Sequence, residues 1–274
     1  MYKVLAKILA NRLSAVIGSV VSDCQSAFVK GKQILDSILV ANEVVDDARR
    51  LKKEMLLFKV DFEKAYDSMD FIYLEEVMKQ MNFPTLWRKW MSECVGTATA
   101  SVLVNGSPTD EFLLERGLRQ GDPLSPFLFL LAVEGFNVLM QSVVEVGLFN
   151  GYRLGRENAL GLSHLQFADD TLIIGEKSWL NVRSMRAVLL IFEQMFGLKV
   201  NFNKSLLTGV NVSVSWLYEA ALALNCHVGA IPFVYLGLPV GGDPRKLDFW
   251  KPVLNCIHSR LSIGKANFSR LAAA

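Results

Sequence analysis

Two short acidic segments constrain the fold of this chain more than any other feature of its 274-residue sequence. The first is Asp61, which directly follows the apolar run from Met55 to Val60. The second is the pair Asp169-Asp170, which lies between two further apolar stretches, residues 160–167 and 171–174. A short apolar run of this kind predicts a buried strand, and the second pattern predicts two strands joined by a very tight turn.

Either acidic segment alone has an ordinary explanation, because aspartate is common in turns and at the ends of strands. Adjacent aspartates, however, bring two like charges close together, which is unfavourable unless a cation lies between them. If the two segments are neighbours in one sheet, three carboxylates converge, with room for two divalent cations. Mg²⁺ suits such oxygen ligands, and two ions about 4 Å apart stabilise both the attacking and the leaving oxygen of a phosphoryl transfer.

The rest of the chain indicates an α+β fold. The sequence Asp122-Pro123 predicts the N-cap and first residue of a helix about 20 residues long. Residues 100–104 and 111–114 predict a hairpin that turns at Asn105-Gly106. Apolar residues at helical spacing predict further helices near residues 4–17, 33–50, 74–81, 86–94 and 182–196, the last ending at Gly197. Helices and strands alternate irregularly, which argues against a doubly wound sheet.

Composition narrows the class of protein. With 51% hydrophobic residues the chain can bury a substantial core. Its four cysteines (Cys24, Cys94, Cys226 and Cys256) form no C-x-x-C pair, which argues against a zinc ribbon or a disulfide framework and for an intracellular location. The longest apolar run is far shorter than the roughly 20 residues of a membrane span, so we expect no membrane partner. The net charge of +2 does not by itself indicate a nucleic-acid partner.

Six segments occur in the order of the conserved blocks of reverse transcriptases, and together they resemble those of non-LTR (LINE-type) retrotransposons, particularly plant ones. The segment at residues 25–34 is similar to the fingers block of those elements. The segments that carry the resemblance are residues 25–34 (QSAFVKGKQI), 58–67 (FKVDFEKAYD), 117–126 (GLRQGDPLSP), 167–170 (FADD), 197–205 (GLKVNFNKS) and 235–240 (YLGLPV).

The resemblance implies a right-hand polymerase whose palm is an antiparallel sheet packed on helices, with partial fingers and an incomplete thumb. Fingers and palm would occupy residues 1–240, with the fingers at about 1–54 and 85–120 and the palm at about 55–84 and 121–240. Residues 241–274 would begin the thumb.

The resemblance also assigns the catalytic residues. Asp61 and Asp169 would hold two Mg²⁺ ions, for which Mn²⁺ can substitute, with Asp170 as the supporting carboxylate. The carbonyl of Phe62 would complete the coordination of the nucleotide-bound ion. Lys204 would be the catalytic cation near the leaving pyrophosphate, and Lys199 is the second candidate for that role.

Further residues would bind the substrates. The nucleotide would contact Lys32, Tyr66, Gln120 and Gly121, and the aromatic ring of Tyr66 would exclude a ribose 2′-hydroxyl. The primer and template would contact Arg119, Phe167 and the segment Tyr235, Leu236 and Gly237.

The implied function is an RNA-directed DNA polymerase that extends a DNA primer on an RNA template with dNTPs, as part of a retrotransposon polyprotein. The endonuclease, part of the fingers and most of the thumb would lie outside this chain, and a nuclear location would follow from the life cycle of the element. The alternatives are a maturase-like RNA-binding protein or an inactive remnant on the same fold. The three intact aspartates favour the enzyme, whereas Lys32, which stands where the family usually has arginine, could reduce activity.

Overall fold

The computed structural model describes residues 2–155 and 160–271, and it describes side-chain surroundings through residue 261. The last three residues of the predicted thumb segment lie outside the described residues. The helices of the described residues are α1 (Tyr2–Val20), α2 (Ile34–Leu51), α3 (Phe71–Gln80), α4 (Thr85–Gly96), α5 (Ser125–Glu145), α6 (Trp179–Phe196), α7 (Val214–Leu224) and α8 (Leu247–Leu271).

The strands group into one central sheet and several short hairpins. They are β1 (Met55–Val60), β2 (Thr99–Ala100), β3 (Leu103–Val104), β4 (Ser107–Pro108), β5 (Phe112–Leu113), β6 (Tyr152–Leu154), β7 (Leu160–Leu162), β8 (His164–Phe167), β9 (Asp170–Glu176), β10 (Leu206–Val210), β11 (His227–Val228), β12 (Phe233–Tyr235) and β13 (Leu238–Val240). The central sheet has the order β11-β10-β1-β9-β8, and all its neighbours are antiparallel except β10 and β11.

Strand β1 is central because both of its faces are apolar. Leu56 and Phe58 lie in the larger core cluster, which contains residues of α5 and α6. Leu57 points to the opposite face, where it lies in a second cluster with Val44 of α2. Side chains alternate between the two faces of a strand, so a nearly continuous apolar run can be buried on both sides. The sheet is therefore a middle layer between helices.

Helix α5 is the main support of the larger core. Eleven of its residues are buried, among them Phe129 and Phe136. By length and composition alone it is also apolar enough to cross a membrane, and it is the one helix of the described residues that is. Helices buried in the core of a folded domain have the same composition, and the packing of α5 against the sheet is of that kind.

Several sequence predictions are confirmed. Helix α2 begins directly after Gln33, whose side chain and that of Asp36 form a reciprocal capping box. Helix α6 ends at Gly197, whose φ of 69° is the left-handed conformation expected for a C-terminal glycine. The predicted buried strand is β1, with the predicted bounds.

The predicted start of α5 is wrong. The helix begins at Ser125 with Leu124 as its N-cap residue, rather than at Asp122-Pro123. The Asp122 carboxylate instead accepts a hydrogen bond from the Leu124 N–H at 2.9 Å and one from the Tyr2 hydroxyl at 2.6 Å. One carboxylate oxygen of Asp122 is therefore used in a turn before the helix, and the other is used in a contact with α1.

Two strand predictions need correction. The turn at Asn105-Gly106 is confirmed, but it joins only β3 and β4. Residues 100 and 112 pair separately, as part of β2 and β5, so the predicted single hairpin is two short ladders. The predicted strand over residues 160–167 is also divided, because β7 pairs with β6 whereas β8 joins the central sheet.

His164 lies fully buried at the start of β8, edge-on to the ring of Phe136. Its Nδ1 is 3.0 Å from the Ser163 hydroxyl, while its Nε2 has no hydrogen-bond partner among the described residues. Burial lowers the pKa of His164 from 6.5 to about 4.

We predict that His164 makes the fold sensitive to acid. Because its folded-state pKa lies below 6.5, the stability that neutral His164 supplies is fully present above that pH and is lost as the pH falls towards 4. The free energy of unfolding of wild type should therefore fall more between pH 7 and pH 4 than that of His164→Gln, by up to about 3 kcal/mol. Urea unfolding at both pH values measures the difference. The same change at the exposed His227 is the control, and equal pH dependence in all three proteins would contradict the prediction.

Candidate active site

The pairing of β1 with β9 brings the remote acidic segments together. The ladder is antiparallel and its last pair is Val60 opposite Thr171, so Asp61 and Asp170 are the residues directly beyond that pair. Opposed residues of an antiparallel pair have Cα atoms about 4.5 to 5.5 Å apart. The predicted proximity of Asp61 to the Asp169-Asp170 turn is therefore present in the backbone.

The Asp169-Asp170 segment lies in a tight turn between β8 and β9. Phe167 pairs with Asp170, which leaves Ala168 and Asp169 as the turn residues. Ala168 has a φ of 55°, in the left-handed region that residues with a Cβ rarely adopt. Asp169 is exposed at the tip, Asp170 is half-buried, and Phe167 is half-buried against the larger core. The turn thus presents one carboxylate to solvent and holds the other against the sheet.

The turn is fixed by the segment that follows α1. The Gln166 N–H donates to the Cys24 carbonyl at 2.9 Å, and the Ser26 N–H donates to the Gln166 carbonyl at 3.0 Å. The Ala168 N–H donates to the side-chain oxygen of Gln25 at 3.0 Å. We call residues 22–27 the brace segment, because it bonds to both backbone groups of Gln166 and to the N–H of Ala168, which precedes Asp169.

The Asp61 segment is fixed by residues 199–205, which precede β10. The Asp61 N–H donates to the Ser205 hydroxyl at 3.1 Å, and the Asp61 carbonyl accepts the Asn201 N–H at 2.8 Å. The Ser205 hydroxyl donates in turn to the Asn201 carbonyl at 2.8 Å. Phe62 forms a bridge with Val200. The backbone on both sides of the Asp61 side chain therefore has defined partners.

The carboxylates interact electrostatically. Burial raises the pKa of Asp170 above its usual value, and the neighbouring charges of Asp169 and Asp61 raise it further. Lys59 opposes the shift. Within residues 2–155 and 160–261, however, no three His, Cys, Asp or Glu side chains are drawn together closely enough to hold a metal ion. The three aspartates are nevertheless close enough for the charges of Asp169 and Asp61 to act on Asp170.

Tyr66 lies beside this group. Its ring stacks on that of Phe129 in α5, with ring centroids 4.5 Å apart and an interplanar angle of 12°. Burial, and then the charge of Asp169, raise the pKa of Tyr66 to about 12. The ring is therefore a rigid wall close to Asp169.

The loop before α5 carries Arg119, Gln120 and Gly121. Gln120 and Gly121 are exposed, and Gly121 has a φ of 83° with open space where a Cβ would lie. Glycine is favoured at this position because of the positive φ angle, not because a side chain would be crowded. The Arg119 guanidinium lies over the ring of Tyr2 at 4.9 Å, so this side chain has a partner within the chain.

The two candidate lysines differ in their surroundings. The Nζ of Lys199 lies 3.7 Å from the Glu63 carboxylate. Lys204 is exposed, and its ammonium has no ion-pair partner among the described residues. Its backbone is fixed, because the Lys204 N–H donates to the Asn201 side chain at 3.1 Å. Lys204 is therefore the more available cation.

The segment Tyr235, Leu236 and Gly237 lies next to Asp170. Tyr235 pairs with Leu238, so Leu236 and Gly237 form a two-residue turn, and their φ values are 51° and 80°. Two positive φ angles are typical of a type I′ hairpin, although leucine is an unusual choice there. The buried Tyr235 hydroxyl lies 3.5 Å from the Asp170 carbonyl. This hairpin therefore packs against the base of the acidic turn.

Comparison with known proteins supplies the family. The sequence model of the family described as "Reverse transcriptase (RNA-dependent DNA polymerase)" matches residues 1–240. The chain belongs to this reverse transcriptase family.

Relatives place it among the reverse transcriptase domains of LINE-type retrotransposons. It is 26% identical over 262 residues to the "Transposon TX1 uncharacterized 149 kDa protein" of Xenopus laevis, which covers 95% of this chain and 19% of that protein. It is 25% identical over 214 residues to the Pol polyprotein of the type-1 retrotransposable element R2 of Popillia japonica, which covers 78% of this chain and 28% of the relative. The chain thus spans less than a third of either relative.

A solved structure has the same fold. Apo telomerase from Candida tropicalis, truncated from its C-terminal domain, matches with a TM-score of 0.57 and 14% sequence identity over 85% of this chain and 42% of that one. The predicted α+β polymerase palm is therefore confirmed. The division into fingers, palm and thumb stays a prediction.

Lys32 of this reverse transcriptase domain has contacts that its predicted role did not anticipate. Its Nζ donates to the carbonyls of Asp23 and Gln25, at 3.1 and 3.0 Å, and lies 3.3 Å from the Asp23 carboxylate. In this arrangement Lys32 supports the brace segment. Its binding to a nucleotide stays a prediction.

Two residues of the site were missed by sequence reasoning. Lys59 lies two residues before Asp61 and on the same face of β1, and its Nζ donates to the Val234 carbonyl at 3.1 Å. The period of two in a strand could have found it. Gln25 gave no such signal, because its partner Ala168 is 143 residues away.

We predict that Asp170→Asn stabilises the fold. Since the folded-state pKa of Asp170 is raised, its charged form destabilises the folded protein above that pKa, and the penalty disappears as the pH falls through it. The melting temperature of the metal-free variant should exceed that of wild type at pH 7, by a free energy of about 1 kcal/mol or less, and the two should converge near pH 3. Asp248→Asn is the control of opposite sign, because Lys251 lowers the pKa of Asp248. A lower melting temperature for Asp170→Asn at pH 7 would contradict the prediction.

Proposed function

We propose that this domain is an RNA-directed DNA polymerase that adds deoxynucleotides to a DNA primer on an RNA template. The observation that carries the proposal is the register of β1 and β9, which sets Asp61 directly beside the Asp169-Asp170 turn. A fold that needed these residues only as turn formers would gain nothing from three neighbouring carboxylates. Burial raises the pKa of Asp170, and the repulsion from Asp169 and Asp61 raises it further.

The donor set suits two Mg²⁺ ions, for which Mn²⁺ can substitute. Asp61 and Asp169 would hold both ions, supported by Asp170 and the Phe62 carbonyl, because hard divalent cations prefer oxygen ligands. A bound cation would also remove the repulsion that raises the pKa of Asp170. When bound, such ions stabilise negative charge on the attacking and leaving oxygens of a phosphoryl transfer.

The incoming nucleotide would lie between Tyr66 and the exposed loop at Gln120 and Gly121. The Tyr66 ring cannot move away easily, because it stacks on Phe129 within the core. A fixed ring beside the sugar would exclude a 2′-hydroxyl and so favour dNTPs. Lys204 would neutralise the leaving pyrophosphate and supply its proton, since it is exposed and its backbone is held by Asn201.

The primer end would rest on the hairpin of Tyr235, Leu236 and Gly237. This hairpin contacts Asp170 through the Tyr235 hydroxyl and β1 through the bond from Lys59 to Val234. Its position would therefore be coupled to that of the carboxylates. Phe167 and Arg119 would add contacts to the primer and template. Arg119 would either move away from the Tyr2 ring or contact a phosphate while it stays on that ring.

The relatives support a polyprotein context, because one of them is named a Pol polyprotein of a retrotransposable element and both are much longer than this chain. We propose that endonuclease and thumb regions of a longer parent protein act with this domain.

Asp169→Asn should abolish primer extension. Wild type is expected to incorporate dTTP on poly(rA)/oligo(dT) with Mg²⁺, and the variant should lose at least about a thousandfold in rate, because it removes a ligand whose charge acts in the transition state. Labelled dTTP incorporation measures the rate. Asp110→Asn, at an exposed carboxylate of the β4–β5 loop, is the matched control.

Binding of the same template–primer should be measured in parallel. Retained or tighter binding by Asp169→Asn with no incorporation supports the enzyme. Equal background incorporation by wild type and variant, with RNA still bound, would instead support an RNA-binding protein of the maturase type.

Lys204→Ala should lower kcat by about a hundred- to ten-thousandfold, the range for loss of a general acid, with a smaller effect on KM for dTTP. Lys199→Ala is the matched control, because this lysine is already paired with Glu63 and should matter less. Steady-state kinetics distinguish the two residues. A larger loss in Lys199→Ala than in Lys204→Ala would exchange their roles.

A further inference from the structure

The most demanding position of the acidic turn is Ala168. It immediately precedes Asp169, and with a φ of 55° it occupies a conformation that is costly for a residue with a Cβ, so something must hold it there. The contact that reaches it directly is the Gln25 side chain, whose oxygen accepts the Ala168 N–H at 3.0 Å.

Gln25 is itself held so that this oxygen cannot move. The residue is 1% exposed, and the same oxygen accepts the Ala27 N–H at 3.0 Å. Its backbone forms a bridge with Gln166, and its carbonyl accepts the Lys32 ammonium at 3.0 Å. Further back in the brace segment, the Ser22 N–H donates to the buried Glu134 of α5 at 3.0 Å. The brace is therefore anchored to the core helix.

One polar atom of Gln25 is unused. Its Nε2 is buried and has no acceptor among the described residues. A buried amide group without a partner costs roughly 1–3 kcal/mol, and an apolar side chain of the same length would avoid that cost. The presence of glutamine at this position is therefore explained by the hydrogen bonds of its side-chain oxygen and not by packing.

We propose that Gln25 is a positioning residue for catalysis, which sets the direction of the Asp169 carboxylate by fixing the backbone of the turn at Ala168. It acts through one backbone amide, and the role of Asp169 that it serves rests on the function proposed above.

The test compares Gln25→Met with Gln166→Met. Both remove a buried glutamine side chain from the same pair of segments, but the Gln166 side chain does not accept the Ala168 N–H. Gln25→Met should increase hydrogen exchange at the Ala168 amide and weaken Mn²⁺ binding, each by about five- to tenfold, as expected for the loss of one hydrogen bond. It should lower kcat by a similar factor with little change in KM for dTTP.

Gln166→Met should change these quantities by less than about twofold, whatever its effect on the melting temperature. Equal changes in the two variants would overturn the proposal, because they would reflect a general loss of packing. Amide exchange and Mn²⁺ binding require no turnover. If wild type fails to extend primers, the proposed function fails, while these two measurements still decide the role of Gln25.

A second variant keeps the test decisive if Gln25→Met does not fold. Gln25→Glu retains an acceptor oxygen and replaces the unused Nε2 by a second carboxyl oxygen. At pH 5, where burial keeps this carboxyl group in its neutral form, the variant should protect the Ala168 amide as well as wild type does. Wild-type protection supports the proposal, and exchange at Ala168 that is tenfold faster in a folded Gln25→Glu protein would overturn it.

Discussion

The antiparallel pairing of β1 with β9 is the constraint on which the rest of the site depends. Its register is set by apolar residues, because Leu57 and Ile174 are opposite each other and both lie in the core on the α2 side of the sheet. Asp61 and Asp170 are the residues directly beyond the last pair of this ladder, Val60 and Thr171. A slip of one residue would move every side chain of the strand to the other face, so the hydrophobic register also fixes the positions of the carboxylates.

The acidic segments are held by backbone contacts rather than by one another. Three like charges cannot position themselves, since each raises the energy of its neighbours. The backbone of Asp61 is held by Asn201 and Ser205, and the turn before Asp169 is held by Gln25. Both supports come from segments remote in sequence. Hydrogen bonds and packing around the acidic segments thus offset the repulsion between the carboxylates.

Unfavourable backbone conformations flank the same site. Ala168 and Leu236 both have positive φ angles, although neither is a glycine, and they lie on the two sides of Asp170. Each costs of the order of 1 kcal/mol or more and persists only where the surroundings impose it. Their surroundings are the buried Gln25 and the paired strands β12 and β13.

The sequence by itself determined the features that local chemistry encodes. The apolar run of β1, the helical spacing of α2 and the terminal glycine of α6 all depend on residues a few positions apart, and each was predicted from its pattern. The three aspartates were found in the same way, together with the family resemblance. Their roles, and those of Lys204 and Tyr66, stay predictions that the geometry supports.

Tertiary structure decided what depends on remote partners. Asp122 looks like a helix cap in the sequence, but its carboxylate accepts a hydrogen bond from the Tyr2 hydroxyl, and α5 begins two residues later than predicted. Lys32 looks like a free cation, but it holds the brace segment. Gln25 begins the segment that resembles the fingers block, but the sequence gives no sign of its hydrogen bond with the Ala168 amide, 143 residues away. Periodicity and capping depend on interactions between residues that are near in sequence. A hydrogen bond between remote segments forms only when the folded chain brings those segments together.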